Sequence, residues 1–227
     1  MIFRADSSPG PLRRRIVLAT IALSFAAALI HPSASEAAAP AARFQAAFTH
    51  FNQAANGDNS SVDPAAEAFT ALATQHPGDP VLLAYAGAAT AMRARSSWLP
   101  WKKLSWAEDG LAQLDKALAL LTPASDAPLY RGTPASLETR FVAANTFLAL
   151  PSMLNRHARG EKLLNEVLGS PLFEAAPLPF KAAVWLRAGI TAGKERPDDA
   201  RRWLQRAVQS QTPQAPIAQA KLKELGL

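Results

Sequence analysis

From residue 41 to the end of the chain, apolar side chains recur at intervals of three and four, and proline and glycine interrupt the pattern at helical lengths. Residues 41–56 place Phe44, Ala47, Phe48 and Phe51 on one stripe, closed by the polar run Asn56-Gly57-Asp58-Asn59. Asp63-Pro64 supplies a cap and a first-turn proline for a helix running to about His76, where Pro77-Gly78 stops it. Asp79-Pro80 repeats that start for a helix to about Arg95. Leu104, Ala107, Leu111, Leu114, Leu118 and Leu121 form the next stripe, ended by Thr122-Pro123. Residues 135–150, 155–168, 177–191, 197–212 and 216–225 complete the series, with Gly193 as a C-terminal stop for the third of these. No stretch carries the alternation of a strand, so the pattern predicts an all-α chain of eight to nine helices.

Within this series a register repeats. Ala65, Phe69, Leu72 and Pro77 stand four, three and five residues apart. Gly110, Leu114, Ala117 and Pro123 follow the same order, as do Gly160, Leu164, Val167 and Pro171, and then Ala200, Leu204, Ala207 and Pro213. The pattern resembles the second helix of the tetratricopeptide repeat, and Gly87 stands where that family places the small residue of its first helix. Small residues are needed wherever antiparallel helices approach to about 8–10 Å. Leu83 and Thr90 stand in place of the aromatic residues of the first helix. The small residues lie 45, 50 and 40 positions apart, against a family period of about 34. Each unit therefore carries extra residues, expected between the two helices of a pair. The resemblance covers residues 44–227 and implies an α-α solenoid that binds a protein or peptide.

The first 37 residues read differently. Arg13-Arg14-Arg15 precede fifteen uncharged residues, 16–30, followed by His31-Pro32 and a run of small side chains. This is the order of a secretory signal peptide, with cleavage expected after Ala37 to leave a repeat domain of residues 38–227. The alternative is an uncleaved anchor, for which fifteen apolar residues fall short of the ~20 that span a bilayer. The first reading makes the body periplasmic or secreted. The second holds it at the inner membrane facing the periplasm, as an accessory subunit of an envelope transport or assembly complex.

Two corners of the pattern stand apart. Residues 98–106, WLPWKKLSW, hold three of the five tryptophans and two lysines, and residues 150–159, LPSMLNRHAR, turn at a proline before a basic stretch. Paired corners of this kind are similar to those of exported bacterial repeat proteins. Two readings of the tryptophans stand side by side. The rings fill the space that a long helix connection opens, or they form a docking patch with the lysines. Trp106 and Trp185 fall at core spacing, whereas Trp98 and Trp101 are the candidates for exposure. The candidate partner-binding set is Trp98, Trp101, Lys102, Lys103, Arg156 and Arg159.

Charge and chemistry narrow the picture further. The net charge is +6, of which residues 38–227 keep +4. That surplus suits anionic surfaces without requiring nucleic acid, and export takes the chain away from nucleic acid, so none is expected as a partner. Arg201, Arg202 and Arg206, with Arg156, Arg159 and Lys162, read either as a solvated basic face or as a face for an acidic peptide or a membrane surface. The absence of cysteine excludes disulfides, zinc-thiolate sites, thiol nucleophiles and a lipidated cysteine. His50, His76 and His157 fall on separate helices without ligand-spaced partners, so no metal is expected. Neither a nucleophile elbow nor a phosphate loop is present, so neither an enzyme nor a cofactor is expected. Membrane contact is expected only through an uncleaved N-terminal segment.

Overall fold

The computed structural model describes residues 34–227, with side chains from Ala41 onward. The expected leader lies outside the described residues except for its last four positions, which fall in the first helix. Among the described residues nine α-helices follow one another: α1 (Ala34–Ala55), α2 (Val62–Gln75), α3 (Pro80–Ser96), α4 (Pro100–Ala119), α5 (Ala135–Ala149), α6 (His157–Leu168), α7 (Leu178–Ala192), α8 (Pro197–Gln209) and α9 (Ala215–Leu225). Short 3₁₀ turns occupy Asn59–Ser61, Pro123–Asp126 and Ser152–Leu154. No strand occurs among the described residues.

Local chemistry accounts for most of the boundaries. Asp79 caps α3 by accepting from the amides of Val81 and Leu82 at 2.9 and 3.1 Å, with Pro80 as first helical residue. Gly193, at φ 51°, ends α7 in the left-handed region that glycine adopts without a Cβ clash. The start of α2 is a correction. Asp58, not Asp63, is the capping aspartate, because it accepts from the Ser60 amide and closes a 3₁₀ turn that runs straight into Val62. Asp63 then lies in the first turn and accepts from Arg93 of α3 at 2.7 Å.

The helices pack as consecutive antiparallel pairs, α1 with α2, α3 with α4, α5 with α6 and α7 with α8, and α9 closes against α8. This arrangement is compatible with a helical repeat protein. One edge gathers the connections within pairs: Arg95 at the end of α3 donates to the Ala54 carbonyl at the end of α1, at 2.9 Å. The other edge gathers the connections between pairs: Tyr130 before α5 donates to Asp79 before α3, at 2.5 Å.

Buried small residues set the crossings. A Cβ on Gly110 of α4 would lie 2.5 Å from the Gly87 carbonyl oxygen of α3, and one on Gly160 of α6 would lie 3.2 Å from the Ala144 carbonyl of α5. Gly189 of α7 meets Leu204 of α8 in the same way. The main core runs from α1 to α7 and centres on Phe44, Phe69, Tyr85 and Phe147. A second cluster of Leu204, Ala207, Ala218 and Leu222 joins α8 to α9.

The extra residues of the long units are not where the spacing placed them. The α3–α4 connection is only residues 97–99, and the longest irregular stretches, 120–134 and 169–177, join pairs instead. In the first unit the excess lies inside the helices. Past the Gly87–Gly110 crossing, α3 runs on for nine residues, and α4 starts ten residues before it. At the Ala144–Gly160 crossing the corresponding lengths are five and three. The α3–α4 hairpin therefore overshoots the next pair by roughly 6–10 Å, at ~1.5 Å of rise per residue.

Candidate functional site

That overshoot carries the first corner. Pro100 begins α4 rather than interrupting a connection, so Trp101, Lys102 and Lys103 form the first turn of the helix and Trp98 stands just before it. Residues 101–105 are exposed on every side of the helix, beyond the reach of the α5–α6 pair. Trp98 is 83% exposed, Trp101 67% and Leu104 51%, so neither of the two candidate tryptophans fills a gap in the body. One turn inward the packing role begins. Trp106 is half-buried beneath the Arg93 guanidinium, 5.0 Å from its ring centroid, and Arg93 also holds Asp63 and, at 3.6 Å, Glu67. Trp185 likewise packs edge-on against Phe173.

The second corner behaves differently. Met153 is exposed, but Arg156 and Arg159 both turn onto Asp115 of α4, at 3.2 and 2.5 Å, and both lie over the Phe147 ring. They tie α6 to α4 and are not gathered with Trp98, Trp101, Lys102 and Lys103. The C-terminal arginines are engaged in a similar manner. Arg201 pairs with Asp198 and Arg202 with Asp199, while Arg206 lies over Trp203. In contrast, neither Lys102 nor Lys103 forms an ion pair among the described residues.

A polar cluster inside the body escaped the sequence reading. The stretch 120–134 bonds back to the start of α5, where the Ala135 amide donates to the Ala127 carbonyl and the Ser136 hydroxyl to Asp126, and residues 133–139 are all buried. Glu138, 1% exposed, accepts from Tyr85 at 2.8 Å and from Arg131 at 3.3 Å through the same carboxylate oxygen. Its second oxygen, and the hydroxyls of Thr133 and Thr139, have no partner among the described residues. Desolvation pushes the Glu138 carboxyl upward, against the pull of Arg131 and the Tyr85 hydrogen bond. The Tyr85 hydroxyl is raised as well, first by burial and then by the Glu138 charge. The Arg131 guanidinium lies 4.1 Å from the centroid of Phe48, and Tyr130 stacks on Phe44 at 4.4 Å. The cluster thus fastens the loop to α1, α3 and α5 at once. One signal was present in the sequence: Glu138 precedes the buried Val142 by four residues and so shares its stripe.

Beside this loop an open recess of about 680 Å³ lies at the edge opposite the tryptophan tip. The turn before α3, from Gln75 to Asp79, forms one wall, and Leu120, Ala124 and Leu129 form the other. Leu129 is substantially exposed there. Among the described residues no three His, Asp or Glu side chains converge as a metal site requires, and no helix is long and apolar enough to cross a membrane. Compared with protein families, with curated proteins and with solved structures, the chain finds no match.

Proposed function

We propose that this chain is an exported, tetratricopeptide-like scaffold that holds a protein or peptide partner outside the cytoplasm, with no bond-making step. The observation that carries the reading is the open recess between two inter-pair connections, set on helix pairs locked by small-residue crossings. A recess of this kind takes an extended segment of a partner without rearranging the helices that frame it. The recess wall is held in place from behind, because Tyr130 fastens to Asp79 and Arg131 to Glu138. Leu129 then supplies an apolar contact at a surface fixed before the partner arrives, which lowers the ordering cost of binding.

A photo-crosslinking residue in place of Leu129, in cells making the chain at its natural level, tests this reading. A discrete protein adduct from position 129, absent when the probe replaces the exposed Lys116 on the outer face of α4, is the expected result. No adduct at position 129, or the same adducts from both positions, overturns it.

A further inference from the structure

The tip of the α3–α4 hairpin has a shape, a composition and a charge that the recess does not share. It is convex. Residues 101–105 are exposed around the whole helix, so no groove lies beside Trp101 to receive a partner's segment. Its apolar groups, Trp98, Trp101 and Leu104, belong to the outermost turn of the hairpin that overshoots its neighbour. Side chains on α4 tilt toward the helix N-terminus, which here points out of the body, so the rings of α4 reach beyond their own backbone.

The free charge at the tip is positive. Arg93 is held by Asp63 and Glu67, but Lys102 and Lys103 form no ion pair among the described residues, and the first acids along α4, Glu108 and Asp109, stand further inward. The first turn of α4 carries no acidic residue and no side-chain cap, and holds lysines where the helix dipole favours carboxylates. An anionic layer placed against this turn relieves that repulsion, and an apolar layer just beyond it takes the indoles.

We propose that this tip docks on the surface of an anionic lipid bilayer. Trp98, Trp101 and Leu104 enter the interfacial layer, where indoles concentrate with one face apolar and the N–H toward water. Lys102 and Lys103 share the first turn of α4 with Trp101, with stems along the apolar groups and ammonium groups among the phosphates. Such a contact is peripheral and salt-sensitive and needs no membrane-crossing helix. It does not depend on the recess. A scaffold seated on a membrane by this edge leaves the recess on the opposite edge free for its partner.

The chain has no cysteine, so Ser105→Cys gives a single labelling site in the full-length protein, and Ala124→Cys gives a control on the other edge. With an environment-sensitive dye attached, phosphatidylglycerol-containing vesicles are expected to blue-shift the position 105 probe. Lipids bearing a quencher near the headgroup are expected to quench it, while the position 124 probe is unmoved. This local readout separates tip docking from any contact made by the N-terminal segment. Replacing both lysines by glutamine is expected to weaken the response about thirtyfold, the worth of two lysines at such a surface. Trp98→Ala with Trp101→Ala is expected to abolish it in a protein whose circular dichroism is unchanged. The proposal is overturned if phosphatidylcholine alone gives the same shift, if both probes respond alike, or if the tryptophan variant responds like the parent. It is also overturned if a purified protein partner protects position 105 while vesicles leave it unchanged.

Discussion

Gly110→Ala probes the crossing of α3 and α4. The added Cβ would lie 2.5 Å from the Gly87 carbonyl oxygen, 2.7 Å from the Ala91 amide nitrogen and 2.8 Å from the Ala91 Cβ. Two of these atoms are backbone of α3 and the third is a side chain without a rotamer to change, so relief requires the helices to separate. Overpacking of this kind costs about 1–3 kcal/mol, and the absence of any flexible neighbour places this site at the upper end. Alanine regains about 1 kcal/mol of helix propensity over glycine. The net expectation is a loss of about 2 kcal/mol. With a urea dependence near 2 kcal/mol per molar, the unfolding midpoint falls by about 1 M. Gly78→Ala is the control, since no heavy atom lies within 4 Å of its Cβ and its backbone lies outside the left-handed region. Its midpoint is expected to stay within the equivalent of about 0.5 kcal/mol. If Gly110→Ala is neutral, or gains the propensity term in full, then α3 and α4 do not meet at this pair and the account of the hairpin fails.

Two further outcomes follow from the interior. Glu138 binds its proton more readily in the folded than in the unfolded chain, because burial raises it from the ordinary value of 4.5. Its contribution to stability is therefore fullest below that value and is lost as the pH rises through the raised one. Urea melts at a series of pH values should show the parent losing ground to Glu138→Gln over that window. A parent that gains ground instead would mean that Arg131 outweighs desolvation. Leu204→Ala empties a fully buried site in the small α8–α9 cluster and should cost about 2.5–5 kcal/mol. Hydrogen exchange should then show α9 losing protection before α3 and α4, and equal loss across the chain would contradict the separation of the two clusters.

The helices were legible because each boundary is written within a few residues of itself. Asp79-Pro80 and Gly193 act through their own backbone and need no distant partner. Asp63-Pro64 misled by two residues because a competing aspartate, Asp58, formed its own local turn first. Exposure at the tip was not legible to the same degree. Whether Trp98 and Trp101 are covered depends on how far the next helix pair extends, and that is set by where Gly160 crosses α5, some sixty residues later in the chain. The position of the extra residues was misjudged for the same reason, since a longer helix and a longer loop leave the same spacing between small residues. Glu138 stayed hidden because its partner Tyr85 lies 53 residues away. No local pattern announces such a pair. Arg156 and Arg159 looked free only because Asp115 belongs to another pair of helices.

The proposed docking tip requires that the outer end of the corner at residues 98–106 stands clear of the fold, with packing beginning at Trp106. The urea midpoint of the Trp98→Ala, Trp101→Ala double variant tests it most directly. Two rings at 83% and 67% exposure contribute little to folding, so the midpoint should stay within the equivalent of about 1 kcal/mol of the parent. A fall of about 3 kcal/mol or more, the cost of removing a buried aromatic ring, would show that the tip is packed against the rest of the protein.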